Sequence, residues 1–129
     1  MYPREFLYDP VHEWVHVTGD VCSVGITNYA QTEVAEIVFV ELPQVGRVYE
    51  TQGMVGCIES GKAVFEIYTP VAGEVVEVNL ELKRWPAFLN EDPHGKGWMF
   101  KVRYSSAQDL EKLMRAEEYE RLVQKLAAR

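Results

Sequence analysis

Two short apolar runs on either side of a polar segment constrain the fold more than any other feature of the chain. Residues 54–58 and 64–68 are apolar and partly β-branched, which is typical of strands. The segment between them, residues 59–63, is short and polar and contains Gly61. It therefore predicts a β-hairpin with Lys62 held in water at its tip. A lysine in this position suits covalent attachment and lacks the burial that depresses the pKa of a general base.

Short strand patterns separated by turn residues recur along the rest of the chain. They cover residues 11–17, 21–26, 37–42, 74–78 and 98–103. Thr27 is a suitable N-cap for a short helix over about residues 28–34. Residues 80–97 contain prolines and glycines and predict an irregular connection with room for a helical turn. Many short strands between turns predict a mainly β fold, either a sandwich or a barrel.

The end of the chain predicts a helix that packs on the strands. Ser105 and Ser106 are suitable caps, and apolar residues follow at helical spacing, with an interruption near Ala116. At 129 residues the chain is long enough for one domain with its own core. We expect a single domain, residues 1–129, with a core of about residues 11–104 and a helical segment of about residues 106–127.

Composition and charge exclude several classes of protein. A content of 47% hydrophobic and 26% charged residues is ordinary for a soluble globular domain. The net charge of −7 argues against binding to nucleic acid or to anionic membrane. We expect Cys22 and Cys57 to be reduced and to lie in the core, since two cysteines are too few for a disulfide framework. Without a membrane span or signal-peptide core, we expect a bacterial cytoplasmic protein or, alternatively, a trimmed chain of the mitochondrial matrix.

The sequence His-Glu-Trp-Val-His at residues 12–16 matches a zinc-protease motif. That motif requires a helix, which places its two histidines on one face. The valines alternate here as in a strand, where four steps of about 3.3 Å separate His12 from His16 by about 13 Å. We therefore expect no metal site. Ser60 and Lys62 also lack the spacing of a Ser/Lys hydrolase.

Several blocks of the chain resemble the glycine cleavage system H-protein family. They include residues 59–63 (Glu-Ser-Gly-Lys-Ala), 70–79 (Pro-Val-Ala-Gly-Glu-Val-Val-Glu-Val-Asn), 12–14 (His-Glu-Trp), 90–93 (Asn-Glu-Asp-Pro) and 97–98 (Gly-Trp). The resemblance implies the flattened barrel-sandwich hybrid of lipoyl and biotinyl carriers, with short helices and a C-terminal helix. It also implies lipoate bound by an amide to Lys62, in an attachment site formed with Glu59, Ser60, Gly61, Ala63 and Gly73.

What the resemblance implies about function is a carrier without catalytic residues of its own. Lipoate ligase or lipoyl transferase would load the lysine. The arm would then shuttle an aminomethyl group and reducing equivalents between glycine decarboxylase, aminomethyltransferase and dihydrolipoyl dehydrogenase. Glu13, Glu33, Phe65 and Glu66 would line a cleft for the loaded arm, where carboxylates suit a cationic amine. The carrier would act as a monomer.

Four features of the sequence depart from the family pattern and leave the cargo open. Gly61 replaces the usual Val or Thr, Val11 replaces a serine, residues 34–36 read Val-Ala-Glu, and Phe65 is bulky where a small polar residue is common. Val11 and Phe65 remove polar groups from the expected cleft. The alternative is an H-like lipoate-binding protein that carries sulfur or electrons in a bacterial sulfur-oxidation system with heterodisulfide-reductase-like proteins. A biotin carrier would show Met residues beside the lysine.

Overall fold

The computed structural model describes residues 2–61 and 63–128. Within that part the strands are β1 (Leu7–Tyr8), β2 (Glu13–Thr18), β3 (Val21–Ile26), β4 (Ile37–Glu41), β5 (Val48–Tyr49), β6 (Met54–Ser60), β7 (Val64–Tyr68), β8 (Gly73–Val78), β9 (Phe100–Tyr104) and β10 (Met114–Arg115). The helices are α1 (Asn28–Val34), α2 (Glu81–Arg84), α3 (Phe88–Glu91), α4 (Gln108–Glu111) and α5 (Ala116–Ala127).

Two antiparallel sheets share one apolar core. The larger sheet has seven strands in the order β10-β1-β2-β3-β9-β8-β5, and the smaller has the order β4-β6-β7. Buried residues of both sheets belong to a single cluster, including Val15, Val24 and Val102 from the larger sheet and Val40, Ile58 and Ile67 from the smaller. The alternating apolar residues of the strands thus face each other across the sandwich. The mainly β, barrel-sandwich fold class is confirmed.

A second, aromatic cluster lies between the larger sheet and α5. Tyr8 stacks on Tyr119 with ring centroids 4.8 Å apart, and Phe6 stacks on Trp14 at 4.6 Å. Such ring pairs bury a large apolar area and prefer defined geometries. The predicted packing of the C-terminal helix on the strands is confirmed by these contacts.

The C-terminal segment differs from the single predicted helical stretch over residues 106–127. It consists of α4, the short strand β10 and then α5. Arg115 pairs with Leu7 of β1 and has extended backbone angles at the N-cap of α5. Its N–H bonds to the Glu118 carboxylate at 3.2 Å, as in a capping box. Pairing with β1 thus interrupts a pattern that looks helical by spacing alone.

Residues 80–97 are more regular than predicted, because two one-turn helices, α2 and α3, lie within them. The Asn90 side chain on α3 accepts a hydrogen bond from the Ile37 N–H at 3.0 Å and donates one to the Ala35 carbonyl at 2.7 Å. These bonds fasten the connection to the start of β4. The predicted cap of α1 is confirmed, since Thr27 Oγ1 accepts from the Ala30 N–H at 3.2 Å.

The two cysteines are free thiols. The predicted core position is confirmed for Cys22 and wrong for Cys57, whose thiol lies beside the Glu41 carboxylate in an exposed position. Cys22 is buried in the core, and Cys57 is half-buried on β6. None of the described helices is both long and apolar enough to cross a bilayer.

Candidate functional site

The predicted hairpin is formed by β6 and β7. Ile58 pairs with Phe65 and Glu59 with Val64, and the Ser60 N–H donates to the Ala63 carbonyl at 3.0 Å. This bond closes the hairpin between Ser60 and Ala63. Lys62 itself, the predicted attachment residue, lies outside the described residues.

The neighbours of Lys62 in the chain lie at an open end of the smaller sheet. Gly61 and Ala63 are exposed, and Glu59 and Ser60 are half-buried. A β-carbon built on Gly61 would have no atom within 4 Å. The turn is therefore accessible to a large partner such as a modifying enzyme.

A cavity of about 370 Å³ opens between the start of β2, α1, β7 and the end of α5. It brings together the four predicted cleft residues, Glu13, Glu33, Phe65 and Glu66. The other lining residues are Val11, His12, Ile26, Tyr29, Ala30, Val34, Ile58, Ile67 and Leu126. The walls are thus mostly apolar, and carboxyl groups supply the charge.

One residue of the predicted attachment site, Gly73, lies away from both the hairpin and the cavity. It begins β8 in the larger sheet, between Tyr49 and Tyr104 of the neighbouring strands. It lines a different, wider hollow of about 830 Å³. A side chain there would collide with the Arg103 carbonyl, so close strand packing accounts for this glycine.

Glu13 is the most deeply buried charge-bearing residue of the cavity, at 2% exposure. Its Oε2 accepts from the Tyr68 N–H at 2.8 Å, and its own N–H donates to Asp9 Oδ1 at 2.9 Å. Burial, reinforced by the nearby Asp9, raises the pKa of Glu13 well above its ordinary value. Burial likewise raises the pKa of Asp9.

Asp9 is the site residue that sequence reasoning missed. It is 1% exposed and sits directly before Pro10, four positions ahead of Glu13. An acidic residue before a proline turn is a usable signal, because Asp side chains often bond backbone N–H groups a few residues on. Nothing in the sequence indicates that this aspartate is buried.

The remaining carboxylates lie at the rim of the cavity. Glu33 on α1 and Glu66 on β7 are both exposed, and Glu66 Oε1 accepts from the Tyr68 hydroxyl at 2.6 Å. The described residues that line the cavity include no Lys or Arg. Apolar walls with a negative rim suit a hydrocarbon arm that ends in a cation.

His12 connects the cavity to α5. Its φ is 71°, and its carbonyl accepts from the Thr27 N–H at 3.0 Å. The Tyr119 hydroxyl lies 2.8 Å from His12 Nδ1 and 2.7 Å from Thr27 Oγ1. The helix that carries Tyr119 also brings Leu126 to the cavity wall.

The structure corrects the start of the strand predicted over residues 11–17. β2 begins at Glu13, and His12 lies in the preceding turn because its positive φ is incompatible with a strand. The His16 ring lies 4.9 Å from the Phe6 ring, whereas His12 bonds to Tyr119. In residues 2–61 and 63–128 no group of three His, Cys, Asp or Glu side chains is arranged to hold a metal. That the protein lacks zinc stays a prediction.

Comparison with known proteins gives a consistent result. The family model "Glycine cleavage H-protein" matches residues 6–126. The chain is 49% identical to the glycine cleavage system H protein of Halalkalibacterium halodurans, with 94% of each chain covered. It is 48% identical to that of Bacillus subtilis, covering 95% of this chain and 96% of the relative. A crystal structure of a glycine cleavage system H protein from Mycobacterium marinum matches with a TM-score of 0.84 at 34% identity, covering 92% of this chain and 95% of that one.

Proposed function

The chain belongs to the glycine cleavage H-protein family, and from this membership we propose that it carries lipoate on Lys62 and shuttles an aminomethyl group in glycine cleavage. The observation that carries the proposal is the hairpin that the bond between Ser60 and Ala63 closes, in a chain that matches the family over residues 6–126. Family membership supports a function in the glycine cleavage system, and the attachment residue is our inference from the hairpin and the sequence around it.

The residues of the cavity fit a lipoyl arm. Apolar side chains such as Ile26, Ile58 and Phe65 suit its hydrocarbon chain, and Glu33 and Glu66 at the rim suit a cationic amine at its end. The lipoyl group, when attached, supplies a dithiolane that accepts the cargo and the reducing equivalents. The protein contributes the turn that presents the lysine and the cavity that shelters the loaded end.

The partners follow from this role. We propose that a lipoate ligase or lipoyl transferase modifies Lys62, and that glycine decarboxylase, aminomethyltransferase and dihydrolipoyl dehydrogenase act on the arm in turn. The chain itself acts as a non-catalytic, monomeric carrier. The bacterial relatives support a cytoplasmic location. No finding supports the sulfur-oxidation alternative.

The attachment site is tested by intact-mass measurement after expression with lipoate and a lipoate ligase. We expect one lipoyl adduct in the unaltered chain and none in Lys62→Arg, which keeps the positive charge but cannot form the amide. Lys83→Ala on α2 is the control, because Lys83 is another exposed lysine and its loss leaves modification unchanged. An adduct that persists in Lys62→Arg would refute the assignment.

A further inference from the structure

Asp9 and Glu13 form a buried pair of carboxyl groups at the turn before β2. The Asp9 N–H donates to the Glu13 carbonyl at 3.0 Å, and the Glu13 N–H donates to Asp9 Oδ1 at 2.9 Å. Because the backbone closes on itself here, neither group can move away from the other without opening the turn.

One oxygen of each carboxyl group is buried without a hydrogen-bond partner: Asp9 Oδ2 and Glu13 Oε1. The second oxygen of each is satisfied by a backbone N–H, from Glu13 and Tyr68 respectively. Two ionised carboxylates only accept hydrogen bonds, so they cannot satisfy each other. A single proton on one of them satisfies both oxygens and removes the repulsion between two buried like charges.

The groups that face the pair supply no fixed positive charge. His12 in the same turn has its pKa lowered by burial, which favours the neutral ring near neutrality. Glu33 on α1, Glu66 on β7 and the phenols of Tyr68 and Tyr119 are neutral or negative there. Among the described residues that line the cavity none is Lys or Arg. A proton shared by the two carboxyl groups is therefore what limits the buried negative charge.

We propose that Asp9 is a positioning residue that shares one proton with Glu13, and that this proton leaves when a cationic amine occupies the cavity. The second half rests on the proposed function, whereas the first does not. Glu13 lines the cavity and Asp9 does not. Because glutamate is the weaker acid of the two, the proton resides on Glu13 and the negative charge on Asp9. Loading breaks the Glu13 O–H bond, the proton passes to solvent, and the new carboxylate pairs with the ammonium group. No electrons are transferred.

The raised pKa of Glu13 and of Asp9 agrees with this arrangement, since burial disfavours the charged forms. An amine cation in the cavity adds the opposite charge that a buried carboxylate needs. The pair would thus give the resting carrier one negative charge at the floor of its cavity and the loaded carrier two. The rim carboxylates alone could not provide that change, because they are exposed to water.

The shared proton is tested on the unmodified chain by carbon-13 NMR titration of labelled Asp and Glu carboxyl groups. In Asp9→Asn the side-chain oxygen still accepts from the Glu13 N–H, and the new amide donates to the Glu13 carboxylate. We expect the titration midpoint of Glu13 to move down, toward the ordinary range of a glutamate. Asp20→Asn is the matched control, since the Asp20 side chain is 75% exposed, and it leaves the midpoint of Glu13 unchanged.

Glu13→Gln provides an independent second variant should Asp9→Asn fail to fold. The Gln amide then donates to the Asp9 carboxylate as the protonated Glu13 does, so the midpoint of Asp9 stays where it is in the unaltered chain. A midpoint of Glu13 that is the same in the unaltered chain and in Asp9→Asn would overturn the shared proton. A midpoint of Asp9 that falls in Glu13→Gln would mean that the proton resides on Asp9, and would overturn its assignment to Glu13.

The coupling to cargo is tested at constant pH on the lipoylated chain before and after loading by glycine decarboxylase, with loading verified by mass. We expect the Glu13 carboxyl resonance to move to its ionised position on loading, and to be there already in Asp9→Asn. An unmoved resonance in a verified loaded carrier would overturn the release of the proton. A lipoylated chain that never loads would refute the proposed cargo, and with it the second half of the inference, while the titration still decides the first.

Discussion

Gly73 lies where two strands of the larger sheet approach too closely for any side chain. A β-carbon there would collide with the Arg103 carbonyl and lie 2.8 Å from Val102 Cγ1. We expect Gly73→Ala to reduce the free energy of unfolding by about 1–3 kcal/mol, the usual cost of overpacking, measured by urea denaturation. Gly61→Ala is the control, because its β-carbon meets nothing within 4 Å. Equal stability of the two variants would contradict this account.

Val11 is the residue at which the cavity departs most simply from the family pattern. It lines the cavity and is 51% exposed, yet its side chain cannot donate a hydrogen bond. We predict that Val11→Ser slows the loss of the aminomethyl group by about 2- to 10-fold, the equivalent of one hydrogen bond of about 0.5–1.5 kcal/mol. Mass spectrometry of the loaded carrier over time provides the measurement.

The matched control for that prediction is Val48→Ser. Val48 is an exposed valine that lines the other hollow, beside Gly73. It should leave retention of the cargo unchanged. Retention that is equal in the unaltered chain and in Val11→Ser would mean that the missing serine is neutral here.

At the scale of elements, α5 is held to the cavity by the hydroxyl of Tyr119. That hydroxyl bonds to both His12 and Thr27 in a buried setting. Tyr119→Phe removes it and leaves two polar groups without this partner, so we expect a loss of about 1–3 kcal/mol in the free energy of unfolding. Thermal denaturation followed by circular dichroism measures the effect.

Tyr104→Phe is the comparison for that loss. The Tyr104 hydroxyl donates to the Gly19 carbonyl at 2.9 Å in an exposed position, where water can replace it. Tyr104→Phe should therefore lower the free energy of unfolding less than Tyr119→Phe does. If both variants lower the free energy of unfolding equally, the position of α5 does not depend on the buried bonds of Tyr119.

For the whole molecule, the half-buried histidines and the buried acid pair make stability depend on pH with opposite signs. His94 Nε2 accepts from the Asn28 N–H at 3.1 Å, and burial lowers the pKa of His94. A lowered histidine pKa makes the fold lose stability as the pH falls below about 6.5, the ordinary value. We expect His94→Gln, whose amide oxygen can still accept, to lose less stability than the unaltered chain between about pH 7.5 and 5.5. Urea denaturation at the two pH values measures both losses. An equal loss of unfolding free energy in His94→Gln and in the unaltered chain would contradict this account.

The acid pair acts in the other direction. Because the pKa of Glu13 is raised in the fold, stability is lost as the pH rises from the ordinary glutamate value of about 4.3 through the raised one. We predict that Glu13→Gln is more stable than the unaltered chain at about pH 8, and that this advantage shrinks toward pH 4.5. Guanidinium denaturation across that range measures the difference, and a constant difference would exclude a titrating Glu13.

Local features of this protein follow from its sequence alone. The hairpin of β6 and β7, the cap at Thr27 and the strand β3 after Gly19 each depend on residues close together in the chain, so their patterns predict them. The cleft residues follow only from the resemblance to a family, since no spacing links Glu13 to Glu66.

Only the tertiary structure decided which side chains share an environment. It buries Asp9 beside Glu13, brings Leu126 of α5 to the cavity wall, and pairs Arg115 with β1 in place of a continuous helix. Each of these depends on segments that are distant in the chain. Burial and desolvation arise from such packing, and they determine the charge of the cavity floor, which the order of residues by itself does not reveal.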